Sequence, residues 1–198
     1  MNVPNFLTAM RVISSFAVAI LLCIPCKYLV SAAFVLYVVG AVTDWFDGYI
    51  ARKCNIVTNI GKFMDALCDK IMVIGLFLVL LGLDMFGGYG DFWKITAIFC
   101  AFFSSAREFF VSGIRMIAAT KSIVLAAENL GKYKAAFQMY AIGAIICAKM
   151  MAVDLGIADC FLTPLAFYSG MGALVVSTIL SLISGVGYGV RYSYLLKG

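Results

Sequence analysis

The chain contains no histidine, and only 3 prolines and 2 tryptophans in 198 residues. Without imidazole there is no Ser–His–Asp or Cys–His catalytic arrangement, and zinc loses its commonest nitrogen ligand. Charge is scarce too: 13% of residues are Asp, Glu, Lys or Arg, with 10 acidic against 15 basic. No nucleic-acid partner is expected. The 7 cysteines are odd in number and lack a framework spacing, so a disulfide scaffold is not expected either. Cys23-x-x-Cys26 has the spacing of a redox pair but lies beside Pro25 with no redox fold around it. The cysteines read better as small buried hydrophobes. No signal peptide is expected, because one early charge, Arg11, is followed by an apolar run without a small-residue cleavage site.

What is present is apolar sequence: 64% of residues are hydrophobic and mean hydropathy is +1.04. That composition predicts an integral membrane protein, all-α and polytopic, with residues 1–198 forming one domain. Six transmembrane helices are expected, each near the ~20 residues a bilayer requires. They run from about Leu7 to Ile24, Ser31 to Arg52, Ile60 to Leu83, Trp93 to Ala119, Gly131 to Val153, and Pro164 to Arg191. A short interfacial segment, Asn2 to Arg11, precedes the first, with Asn5, Thr8 and Arg11 sharing one face. Ser181, Gly185 and Gly189 make a small-x3-small ladder suited to helix packing. Val186-Gly187-Tyr188-Gly189 echoes a potassium-channel filter, but it lacks the preceding threonine and a re-entrant pore helix.

The basic residues orient these helices. With cytoplasmic termini, only Lys27, Lys94 and Lys149 fall towards the outside, and Asp84, Asp91, Asp154 and Asp159 fall there as well. The expected location is the cytoplasmic membrane.

One stretch breaks the apolar pattern. From Asp44 to Asp69 it reads DWFDGYIARKCNIVTNIGKFMDALCD. A carboxylate in apolar surroundings is costly unless it is paired or holds a cation, and here four aspartates gather. Asp44 and Asp47 are three apart and Asp65 and Asp69 four apart, so each pair shares a helix face. Gly48 and Ala51 fall on the first face and Gly61 on the second. In an antiparallel hairpin turning near Ile56, Asp47 stands opposite Asp65 and Asp44 opposite Asp69. The two levels are then about 4.5 Å apart at ~1.5 Å per residue. Such a cage suits two divalent cations ~3.5–4 Å apart, and all-oxygen ligation favours Mg²⁺, Mn²⁺ or Ca²⁺. The hairpin opens towards the cytoplasm.

The pattern D-x2-D-G-x2-A-R-x8-G-x3-D-x3-D is met at Asp44, Asp47, Gly48, Ala51, Arg52, Gly61, Asp65 and Asp69. It resembles the signature of the CDP-alcohol phosphatidyltransferases, whose six-helix fold agrees with the count made from hydropathy. The resemblance implies two bound cations, Mg²⁺ or Mn²⁺, ligated by Asp44, Asp47 and Asp65. Asp69 would complete the site and act as general base on the acceptor hydroxyl. Gly48 and Ala51 would leave room for the cytidine, and Arg52 would contact the diphosphate. Gly61 and the N-terminal Asn5, Thr8 and Arg11 are further candidates for binding CDP-diacylglycerol. A homodimer is implied in the same way.

Three other stretches resemble the family members that act on glycerol 3-phosphate. They are Asn2-Val3-Pro4-Asn5-x2-Thr8-x2-Arg11, Ala106-Arg107-Glu108-Phe109-x-Val111-Ser112-Gly113-Ile114-Arg115, and Leu130-Gly131-Lys132-Tyr133-Lys134. There are two departures: Ala135 stands where threonine is expected after Lys134, and between Asp65 and Asp69 Ala66-Leu67-Cys68 stands where Pro-Leu-Ala is expected. An acceptor phosphate needs cations, and Arg115, Lys132 and Lys134 lie near the aspartates' depth. Arg107 is ~12 Å deeper at the same helical rise and ranks below them, with Glu108 as its structural counter-ion. The expected reaction moves a phosphatidyl group from CDP-diacylglycerol to sn-glycerol 3-phosphate, releasing CMP. Inositol phosphate, serine or phosphatidylglycerol remain alternative acceptors. A divalent-cation channel or transporter is a distant alternative, which an arginine beside the carboxylates disfavours.

Overall fold

The computed structural model describes the backbone of residues 3–54, 59–121 and 129–195, and side chains at 10, 12–43, 70–86, 88–121 and 131–194. Among these residues the chain forms six α-helices and no strand: α1 (Val3–Cys23), α2 (Leu29–Cys54), α3 (Asn59–Gly82), α4 (Asp91–Thr120), α5 (Asn129–Val153) and α6 (Leu162–Arg191). Two short 3₁₀ turns lie at Gly87–Tyr89 and Ser193–Leu195. Most helix ends fall within two residues of the hydropathy reading. The N-terminus differs, because the expected interfacial segment is continuous with α1 rather than a separate element. Pro4 sits in the first turn, where its missing N–H costs nothing, and no later glycine or proline interrupts the run to Cys23. The stretch Val186–Gly189 is likewise inside α6, which excludes an extended filter.

Among the described residues, α4, the 131–153 part of α5, and α6 are each long and apolar enough to cross a membrane, and Val12–Cys23, Leu29–Thr43 and Lys70–Gly82 are the apolar parts described in α1, α2 and α3. This is a membrane protein. The outer face of α4 supports that conclusion, since Phe92, Phe102 and Phe109 are 70%, 66% and 65% exposed. Water would make such a face an aggregation site, whereas hydrocarbon solvates it.

The helices pack as interlocked pairs. α5 and α6 form the most extensive contact, α1 lies on α2 and α3, α4 packs on α6, and α2 reaches α5. Gly170 lets α6 approach α5: a Cβ there would stand 3.0 Å from the Ala144 Cβ and 3.3 Å from the Ala141 carbonyl oxygen. Small residues permit this proximity where hydrocarbon provides no hydrophobic drive between helices.

The two ends of the bundle differ in chemistry. One end is aromatic: Tyr89 stacks on Phe167 with centroids 3.6 Å apart, and Trp93 and Tyr168 meet the same ring edge-on. Nearby, Lys94 and Asp84 pair at 2.7 Å. From there the core of Leu76, Leu80, Ile142, Ile145, Met171 and Leu174 extends inward. At the opposite end, the C-terminal parts of α4 and α6 meet the first turns of α5 and the middle of α3, and the buried residues there are polar. Cys23 and Cys26 are exposed free thiols, whereas Cys100 is buried as expected.

Candidate active site

The polar end is built on α4. Glu108, Ser112 and Arg115 recur at spacings of four and three, so one face of the helix carries all three. The Ser112 hydroxyl donates to the Glu108 carbonyl at 2.8 Å, and Lys70 of α3 donates to the Ser112 oxygen. Glu108 Oε1 pairs with Lys134 of α5, and Arg107 Nη1 lies 3.2 Å from the same oxygen. Arg107 Nη2 donates to the Ser184 hydroxyl of α6 at 2.6 Å. Arg115 Nε donates to the Tyr188 hydroxyl at 3.4 Å. Four helices therefore contribute to one cluster.

Two local features let it form. Gly185 presents no side chain to α4, and Arg107 occupies the space: a Cβ at 185 would lie 2.7 Å from Arg107 Cγ. The expected Ser181–Gly185–Gly189 ladder thus faces α4, with Gly189 against the Phe110 ring. Ser177 holds the start of α5 in register by donating to the Lys134 carbonyl at 3.1 Å.

The charges are unequal. Lys70, Arg107, Arg115 and Lys134 surround the cluster, and among the described residues Glu108 is the one carboxylate paired within it. Lys134 is only 4% exposed. Among the described residues the cations outnumber the carboxylate, and a buried cation is costly unless anions meet it. The cluster has the chemistry of an anion site.

The comparison with known sequences decides the family. The model of the CDP-alcohol phosphatidyltransferase family matches residues 1–183. The chain belongs to that family. A Bacillus subtilis relative named CDP-diacylglycerol–glycerol-3-phosphate 3-phosphatidyltransferase is 38% identical over 123 residues, covering 62% of this chain and 58% of the relative. A Rickettsia typhi protein of the same name is 34% identical over 145 residues, covering 73% of this chain and 76% of its own. The Escherichia coli K12 protein of that name is 29% identical over 189 residues, covering 94% and 92%. The chain is an enzyme, a phosphatidyltransferase.

Within this phosphatidyltransferase, Asp44, Asp47, Gly48, Ala51 and Arg52 fall in α2, Gly61, Asp65 and Asp69 in α3, and Asn5, Thr8 and Arg11 in α1. The side chains of all eleven lie outside the described residues. Of the four expected acceptor-site cations, the structure joins Lys134 and Arg107 through Glu108 and sets Arg115 against Tyr188. Lys132 precedes Lys134 by two positions, about 200° around the helix, and is exposed.

Sequence reasoning did not select Lys70, Ser112, Ser184 or Tyr188. Lys70 had a signal available, since it directly follows Asp69. Ser184 and Tyr188 had none, because only the packing of α6 on α4 brings them to Arg107 and Arg115.

Proposed function

We propose that this phosphatidyltransferase moves the phosphatidyl group of CDP-diacylglycerol to the 1-hydroxyl of sn-glycerol 3-phosphate. The products are phosphatidylglycerophosphate and CMP. The observation that carries the acceptor is the gathering of four cations, Lys70, Arg107, Lys134 and Arg115, from three helices at one end of the bundle, with Lys134 buried among them. A phosphate dianion suits such a set of cations, and guanidinium groups match its oxygens two at a time. The names carried by the Bacillus, Rickettsia and Escherichia relatives support the same acceptor.

α2 and α3 are helical through positions 44, 47, 65 and 69, which keeps each aspartate pair on one face. Four carboxylates fit hard divalent cations, and Asp44, Asp47, Asp65 and Asp69 would hold two, Mg²⁺ or Mn²⁺. Bound there, the cations supply neutralisation of charge on the diphosphate and on the departing CMP. Asp69 accepts the proton of the acceptor's 1-hydroxyl. That oxygen attacks the phosphorus bearing diacylglycerol, the bond from this phosphorus to the bridging oxygen breaks, and CMP leaves with the bridging oxygen. Arg52 holds the diphosphate, while Gly48 and Ala51 leave space for the base. Gly61, Asn5, Thr8 and Arg11 complete the nucleotide-lipid side. The site of the anionic acceptor adjoins it, because Lys70 follows Asp69 on α3.

Six membrane spans with cytoplasmic termini put both sites on the cytoplasmic side of the inner membrane, in one domain that pairs as a homodimer. The lipid tails then stay in the bilayer while the acceptor arrives from water. The test is CMP release by purified protein with CDP-diacylglycerol, Mg²⁺ or Mn²⁺, and a panel of acceptors. Glycerol 3-phosphate should be used far better than glycerol, serine, inositol phosphate or phosphatidylglycerol. Equal use of any of these would overturn the acceptor assignment.

A further inference from the structure

Glu108 is a carboxylate inside a site that is read as binding an anion. A negative charge there should repel the acceptor, so its presence needs a reason. The geometry gives one. A single oxygen, Oε1, serves both Lys134 and Arg107, which come from different helices and meet nowhere else through a shared side-chain partner among the described residues. Lys134 is 4% exposed, and its long side chain has several rotamers but one carboxylate partner among the described residues, the half-buried Glu108. Ser112 donates to the Glu108 carbonyl and receives Lys70, tying the same residue to α3. Arg107 is in turn fixed to Ser184 of α6.

We infer that Glu108 is a positioning residue: its carboxylate holds Lys134 and Arg107 at a fixed separation so that the two receive one phosphate group together. The inference rests on the acceptor reading above and deepens it. Without the carboxylate, Lys134 would be repelled by Arg107 and free to change rotamer, and an incoming phosphate would have to order it. Ordering it beforehand removes that cost from binding. Among the described residues the cations still outnumber the carboxylate, which favours an anion.

Two accounts of Glu108 predict opposite signs. If it merely offsets charge, Glu108→Gln removes repulsion and lowers the KM for glycerol 3-phosphate. If it positions, the same substitution raises that KM about tenfold, the scale of one lost charge-assisted hydrogen bond. The KM for CDP-diacylglycerol should stay unchanged. Glu108→Asp, which keeps the charge on a shorter stem, should restore part of the loss. A Lys134→Met variant and the double variant complete a cycle. Because Glu108 acts through Lys134, the double variant should raise KM by less than the product of the two single effects.

The outcomes separate the two readings. A Lys134→Met variant with unchanged KM for glycerol 3-phosphate would overturn the acceptor site itself. A raised KM in Lys134→Met, with either a fall in Glu108→Gln or strictly multiplicative effects, would overturn the positioning role alone. If Glu108→Gln does not accumulate in the membrane, Glu108→Asp with and without Lys134→Met carries the same comparison.

Discussion

Arg115 meets Tyr188 in two ways at once: its Nε donates to the phenol oxygen at 3.4 Å, and its guanidinium carbon lies 5.8 Å from the centre of the same ring. Tyr188 is 1% exposed, so it is a fixed wall, while Arg115 is exposed and reaches past it. Val111 and Ile114 of α4 are buried in one cluster with Tyr188. A planar cation held by one N–H over an aromatic ring has further N–H groups that can aim at an anion.

Arg115→Lys should therefore raise the KM for glycerol 3-phosphate several-fold, since an ammonium cannot grip two oxygens in one plane. The KM for CDP-diacylglycerol should not change, and kcat should stay mostly intact if binding is lost uniformly. Tyr188→Phe should act in the same direction but more weakly. Steady-state kinetics varying each substrate in turn will show it; parallel changes in both KM values would remove Arg115 from the acceptor site.

Gly185 tests the seat of Arg107. Gly185→Ala places a methyl group 2.7 Å from Arg107 Cγ. Either α6 moves away from α4 or Arg107 leaves Ser184, at an expected cost of ~1–3 kcal/mol. The thermal midpoint in detergent should fall and the KM for glycerol 3-phosphate should rise. Gly172→Ala, on the same helix with nothing within 4 Å of its Cβ, should leave both unchanged.

Asp154 provides a pH-dependent contribution at the other end of the molecule. Burial by itself raises its carboxyl, but the Ser31 hydroxyl and N–H, the Tyr28 N–H and the Lys27 charge outweigh that and hold it below the usual carboxylate range. The Ser31 N–H and hydroxyl lie 2.6 and 2.7 Å from Oδ2, which ties the loop after α5 to the first turn of α2. A depressed folded-state value adds stability above the unfolded value of ~3.9, and that stability disappears as pH falls through the folded one. Asp154→Asn should lower the thermal midpoint at neutral pH, by an amount near ~1 kcal/mol for hydrogen bonds to a charge at a loop. The gap between the two proteins should close on acidification below about pH 4. A constant gap would mean that ionisation of Asp154 does not matter.

The aspartate quartet calls for two measurements. Chelation should abolish turnover, and added Mg²⁺ or Mn²⁺ should raise the thermal midpoint, because carboxylates crowded without cations repel one another. Asp69→Asn keeps an oxygen ligand but cannot accept the hydroxyl proton, so transfer should be lost while CDP-diacylglycerol still binds. Turnover in excess chelator would rule out the two-metal reading. Parallel loss of binding and transfer in Asp69→Asn would make Asp69 mainly a ligand.

The sequence alone determined the helices and the family. Long apolar runs satisfy their backbone most simply as helices, so hydropathy located α2 to α6 to within about two residues at most ends. The Asp44–Asp69 pattern was equally local: positions three and four apart on a helix share a face whatever surrounds them. Its second pair runs on into Lys70, and there local reasoning stopped. Helical rise gives the depth of Arg107, Arg115, Lys132 and Lys134 along their axes, and it set Arg107 apart from the rest. Tertiary structure decided which faces meet, and it joined Arg107 to Lys134 through Glu108 while leaving Lys132 exposed. The physical reason is rotation and reach. A helix turned by a single residue swings a side chain through ~100°, and long basic side chains cross the depth that separates their Cα atoms. The packing of α6 on α4, opened by Gly185, selects Ser184 and Tyr188, and the seating of α3 and α5 beside them brings in Lys70 and Lys134.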